Sequence, residues 1–221
     1  MTSTLARLYQ KYKIIKMKKL EMIYDLRDWP DGNMGHLQPT DEVVNAFKNI
    51  SKNSSHKIGN ILEFGFNTGV SSYIILETLP KTKITSIEIS KYLNAEEGVS
   101  RLKKKFHDRY KIVWGDSQLV FKELKKKTIK LPFENYDTAF IDGGHTTTIV
   151  DSDIQMCKLL GIKNFIFDDA DCPNILPAIE KHKDLKLINK YPYSNIRKIN
   201  GTYYLKKSKG WVVGLHHYIL I

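Results

Sequence analysis

Ile61-Leu62-Glu63-Phe64-Gly65-Phe66-Asn67-Thr68-Gly69 is the stretch that decides the fold. An apolar run carrying Glu63 gives way to Gly65, Asn67 and Gly69, and Val70, Tyr73, Ile74 and Leu76 then follow at helical spacing. The pattern predicts a buried parallel strand, a tight turn and a helix N-terminus. Glycine and asparagine tolerate positive φ, so these three positions suit a sharp loop that brings backbone close to a ligand. A nucleotide-like cofactor is the natural guest where such a loop meets a strand end.

Outward from this loop, short apolar strands alternate with helices. Strands are expected near 60–64, 83–88, 111–114, 137–141 and 164–168, and helices near 69–79, 91–107, 117–126, 147–160 and 173–182. This alternation predicts an α/β domain, a doubly wound and mostly parallel sheet with helices on both faces. Two further strands, near 185–190 and 201–206, would complete seven as an antiparallel edge pair. Three segments follow: a helical extension or lid over 1–58, the sheet domain over 59–208, and an apolar tail over 209–221 that packs on the domain or on a subunit partner. Within the first, residues 4–24 alternate apolar and basic at near-helical spacing, and Thr40 is placed to cap a helix from Asp41.

The 221 residues suffice for one domain with a full core. No apolar run approaches the roughly 20 residues that cross a bilayer, so no membrane partner is expected. Cys157 and Cys172 are the only cysteines, which argues against a disulfide framework and for a reducing, cytoplasmic setting. The net charge of +11 could mark a nucleic-acid partner. Its lysine runs, 103–105 and 125–127, lack interleaved aromatics and read better as solvated helix faces.

Acids stand at the ends of the later strands. Glu88 closes the second, at the place where nucleotide-binding sheets hold ribose hydroxyls. The third runs into Gly115-Asp116-Ser117, which also reads as a turn and helix cap. The fourth ends in Asp142-Gly143-Gly144-His145 and the fifth in Asp168-Asp169. Three carboxylates converging from adjacent strand ends repel one another unless a cation or proton is present, and oxygen donors of this kind suit Mg²⁺ or Mn²⁺. His145, three positions after Asp142, could take a proton from a substrate hydroxyl.

The first loop resembles the cofactor loop of class I S-adenosylmethionine-dependent methyltransferases, with Asn67 in place of the middle glycine. That family implies a Rossmann-like fold. It also implies cofactor contacts from Glu63, Gly65, Phe66, Asn67, Thr68, Gly69, Glu88, Asp116, Ser117 and Asp142, with Asp116 and Ser117 beside the adenine. The Asp-Gly-Gly-His and Phe-Asp-Asp runs are similar to those of the metal-dependent sugar and macrolide O-methyltransferases. The resemblance implies Asp142, Asp168 and Asp169 as ligands of Mg²⁺ or Mn²⁺, and His145 as base. The expected acceptor is a hydroxyl on a small molecule or glycan, with a homodimer in prospect. Rival readings are a metal-independent methyltransferase acting on RNA or protein, and a non-catalytic module that keeps the fold. A nicotinamide dehydrogenase is disfavoured, because a pyrophosphate packed on the loop wants glycine at position 67.

Overall fold

The computed structural model describes Leu37 and residues 40–54, 58–91, 93–193, 196–199, 202–205 and 214–221. The expected helix within 4–24 lies outside these residues.

The described chain opens with α1 (Asp41–Asn53), whose N-cap Thr40 accepts the backbone N–H of Val43 at 3.2 Å. Asp41 and Glu42 in its first turn complement the helix dipole, and Val43, Val44, Phe47 and Ile50 form its buried stripe. The alternation then runs β1 (Asn60–Phe64), α2 (Val70–Thr78), β2 (Lys83–Glu88), α3 (Leu93–Phe106) and β3 (Tyr110–Trp114). It continues through α4 (Ser117–Lys125), β4 (Thr138–Ile141), α5 (Thr147–Leu159), β5 (Asn164–Asp168) and α6 (Leu176–Lys181). The chain finishes in strands: β6 (Leu185–Pro192), β7 (Ile196–Ile199), β8 (Thr202–Leu205) and β9 (Gly214–Leu220).

The described residues build a seven-stranded sheet in the order β3-β2-β1-β4-β5-β9-β6. β1 to β5 are parallel; β9 runs antiparallel to both β5 and β6. One core packs α1, α2 and α3 on one face of the sheet, and a second packs α4, α5 and α6 on the other. The central strands are buried on both sides, as near-continuous runs such as Phe165-Ile166-Phe167 require.

The first five strands and their helices stand where the sequence puts them, within a few residues. The end of the sheet is composed differently. The 201–206 run pairs instead with β7 in a separate two-stranded sheet. The seventh strand is β9, from the apolar tail, inserted between β5 and β6, so the antiparallel strand lies one place in from the edge. Periodicity reports that a segment is a strand, and carries no information about its neighbours.

β6 is the exposed edge. It carries Lys186, Lys190 and Pro192 and an irregularity in register between Leu187 and Asn189, all features that blunt pairing with another chain. α6 begins at Leu176, after turns over 169–175 that include a Cys172 N–H to Asp169 carbonyl bond of 2.8 Å.

Candidate active site at the carboxyl edge of the sheet

Strand order reverses between β1 and β4, and the loops after these strands meet there. This is the crevice in which open α/β sheets bind ligands. Gly65 has φ +84°, and a Cβ on it would stand 2.4 Å from the Asp142 carbonyl oxygen, so only glycine lets the two loops approach. Asn67 is also left-handed, at φ +52°, a conformation asparagine adopts at modest cost. Gly69 follows at φ +82° as the N-cap of α2.

Two acids hold this turn. Glu88 Oε2 accepts the backbone N–H groups of Phe66 at 2.8 Å and Asn67 at 2.9 Å, and Oε1 takes the Ser90 N–H at 3.3 Å. Glu63 is sealed from solvent within the sheet–helix junction. Its Oε1 accepts Ser71 Oγ at 2.8 Å, and its Oε2 accepts the hydroxyls of Ser72 and Ser86. Burial raises its carboxyl from 4.5 to about 7, against the lowering effect of the three serines. Glu63 therefore supports the loop from inside the fold, whereas Glu88 reaches it from the neighbouring strand.

Further along the edge, Asp116 caps α4, its Oδ1 accepting the Gln118 N–H at 2.8 Å, and Ser117 is the first helical residue. Ile89 and Leu119 are large apolar side chains left 69% and 61% exposed, one just past β2 and one in the first turn of α4. The ends of β2 and β3 are paired through Glu88 and Trp114, which brings the segments carrying Ile89 and Leu119 to the same edge of the sheet.

The other half of the edge is acidic. Asp168 ends β5, and burial raises its carboxyl well above the usual range, with the charges of Asp142 and Asp169 adding to the shift. Asp142 lies within hydrogen-bonding reach of it, and Asp169 follows with φ +50°. His145 is 44% exposed in the loop before α5, its Nε2 3.8 Å from Asp142 Oδ1, an ion-pair separation longer than a hydrogen bond. Asp171 is paired with Lys190 at 2.9 Å, and His216 Nε2 lies 3.4 Å from it.

The structure thus brings Asp142, Asp168, Asp169 and His145 to one side of the switch point and Gly65–Gly69, Glu88, Asp116 and Ser117 to the other. The acids adjoin without closing into a ligand set: among the described residues, no group of three or more His, Cys, Asp or Glu side chains is arranged to hold a metal ion.

Three participants went unread in the sequence. Tyr193 donates its hydroxyl hydrogen bond to Asp168 Oδ1 across a separation in sequence that leaves no local signal. The serine trio around Glu63 comes from α2 and β2. Asp153 is buried on α5 with Oδ1 unpartnered, and its carboxyl is raised to about 7 by burial, Ser117 working the other way. Its signal was present: Val150, Asp153, Ile154 and Cys157 share the core-facing spacing of one helix.

Residues 62–160, from within β1 to just past α5, match the family model of a methyltransferase domain. No curated protein matches the chain. Among solved structures, an O-methyltransferase from Bacillus cereus in complex with S-adenosylhomocysteine is similar at TM-score 0.58 and 13% identity, over 93% of this chain and 90% of that one. A proposed RNA methyltransferase from Pyrococcus horikoshii gives TM-score 0.63 at 11% identity, over 94% and 99%. The O-methyltransferase of tomaymycin synthesis from Streptomyces achromogenes, in complex with S-adenosylmethionine, gives 0.54 at 16%, over 94% and 89%. At these identities the likeness is one of fold: the Rossmann-like sheet of methyltransferases.

Proposed function

We propose that this chain transfers a methyl group from S-adenosylmethionine to a hydroxyl on a sugar or other small molecule, assisted by a divalent cation. The observation that carries the reading is the 65–69 turn, held by Glu88 at the switch point inside the stretch that matches the methyltransferase model. When bound, the cofactor supplies a methyl already activated on a sulfonium, so the chain's work is to align and to move one proton.

In this reading, the left-handed backbone of Gly65, Asn67 and Gly69 leaves room for the ligand's polar end. Glu88 Oε1, less engaged than Oε2, receives ribose hydroxyls. Ile89 and Leu119 offer apolar surface to a planar base, with Asp116 and Ser117 at the start of α4 beside it. Asp142, Asp168 and Asp169 would hold Mg²⁺ or Mn²⁺, whose chemistry is to lower the pKa of an acceptor hydroxyl. A bound cofactor would give its methyl to the acceptor oxygen and keep the electron pair of the broken C–S bond on sulfur, and His145 would take the acceptor's proton.

Calorimetric titration of S-adenosylhomocysteine, with and without Mg²⁺, into wild type and Asp168→Ala tests this. Micromolar binding and a metal heat lost in the mutant are expected. Absence of binding by either ligand would remove the enzyme reading.

A second acceptor class, RNA, is favoured by the charge alone: Lys103–Lys105 and Lys125–Lys127 are all exposed on a chain of net charge +11. It requires RNA binding that falls steeply with salt, and methyl transfer that survives chelation.

A further inference from the structure

Gly98 stands in the interior of α3, on the buried stripe that also carries Ala95, Val99, Leu102 and Phe106. Glycine is a poor helix residue, so one kept at core-facing spacing calls for a packing reason. That reason is the turn after β1. A Cβ on Gly98 would stand 2.1 Å from the Thr68 carbonyl oxygen and 2.8 Å from its carbon, with the Phe66 ring at 3.4 Å. The helix therefore lays bare backbone directly against the turn. The turn does the same at Gly69, where a Cβ would meet the Phe66 ring at 2.3 Å and Leu102 of α3 at 2.9 Å. Phe66 and Thr68 are buried, so their side chains serve this interface and leave only backbone to a ligand. Glu88, at the end of the strand before α3, accepts the Phe66 and Asn67 N–H groups. The β2–α3 unit thus grips the turn twice, by a carboxylate and by a helix.

We propose that Gly98 is a positioning residue for cofactor binding: its missing side chain lets α3 seat the Thr68 carbonyl, and with it the 66–69 turn, where a bound cofactor requires it. The inference rests on the proposed S-adenosylmethionine-binding function and is independent of any cation. Gly98→Ala obliges Thr68 to move, because a backbone carbonyl cannot swing aside as the tip of a flexible side chain can. In the free protein the turn yields and relieves most of the strain; binding returns the turn to its place and restores it. The cost therefore falls on affinity more than on stability, the opposite of what a merely structural glycine predicts.

Calorimetric titration of S-adenosylhomocysteine into wild type, Gly98→Ala and Val99→Ala, with melting temperatures alongside, is the test. Val99→Ala thins the packing of the same helix one residue along and controls for a general loss of core. Overpacking by one methyl corresponds to about 5–150-fold in an equilibrium constant. Gly98→Ala is expected to lose S-adenosylhomocysteine affinity within that range while melting near the wild-type temperature. Val99→Ala is expected to melt lower and to bind as wild type does. Undiminished affinity in Gly98→Ala overturns the proposal, as does an equal loss of affinity in Val99→Ala; either leaves the cofactor reading standing. A wild type that binds no S-adenosylhomocysteine overturns the cofactor reading and this inference with it. If Gly98→Ala does not fold, Phe66→Leu reads the same contact from the turn's side by removing the ring on which Gly69 rests. Unaltered S-adenosylhomocysteine affinity there also overturns the proposal.

Discussion

Ser71 donates a hydrogen bond of 2.8 Å to Glu63, joining the first turn of α2 to the strand that precedes it in a region closed to water. Burial holds Glu63 near a pKa of about 7, above its ordinary 4.5. Between those values the folded chain keeps a proton that the unfolded chain has released, so stability falls as pH rises through the window. The difference is on the order of 3 kcal/mol at full ionisation. Asp153, also raised to about 7, acts in the same direction. Glu63→Gln is expected to flatten the dependence, leaving the share due to Asp153. Urea denaturation at pH 5 and pH 8 checks it, and an unchanged slope in the variant would remove Glu63 as its source.

Gly65→Ala places a methyl against the Asp142 carbonyl and forces a side chain into φ +84°. A loss of about 1–3 kcal/mol in stability is expected, with cofactor affinity falling about tenfold if 1.4 kcal/mol of the distortion is carried into the bound loop. Thermal melts and calorimetry measure the two effects. A variant that binds as wild type does would show that the loop after β1 is not the cofactor site.

Glu88→Ala strips the acceptor from two backbone N–H groups at once. Hydrogen bonds to a charged group contribute about 1.5–3 kcal/mol. S-adenosylhomocysteine binding should weaken more than overall stability, since the loop can recover water as a partner but loses its shape. Equal binding by Glu88→Ala and wild type would assign the acid to structure alone.

His145 Nε2 approaches the acidic edge at 3.8 Å from Asp142, and its exposure leaves it open to a substrate. His145→Ala should lower turnover by about 10²–10⁴-fold while S-adenosylhomocysteine affinity stays the same. Single-turnover methyl transfer is the measurement; undiminished turnover takes His145 out of the mechanism.

Much of this was legible in the chain because local chemistry wrote it. The strand–turn–helix at 60–78 follows from an apolar run meeting residues that accept positive φ, and acids at strand ends fall on the ligand edge through topology alone. Ordering of the outer strands was not legible, because only long-range pairing selects β9 for the slot beside β5. Tyr193 escaped for the same reason, since its contact with Asp168 joins segments distant in sequence. Glu63, a ligand contact by the family resemblance, has hydrogen bonds to serines on α2 and β2 that no local pattern announces.

β9 is made after every other strand of the sheet, yet it occupies an interior slot. During synthesis β1 to β5 can assemble while β5 still presents an open, apolar flank, and β6 has nothing to pair with until Gly214–Leu220 has emerged. The acid-bearing end of β5 is thereby the last part of the crevice to be enclosed. Assembly of the cofactor half can run ahead of the acidic half, because β5 gains its second neighbour only when β9 is in place.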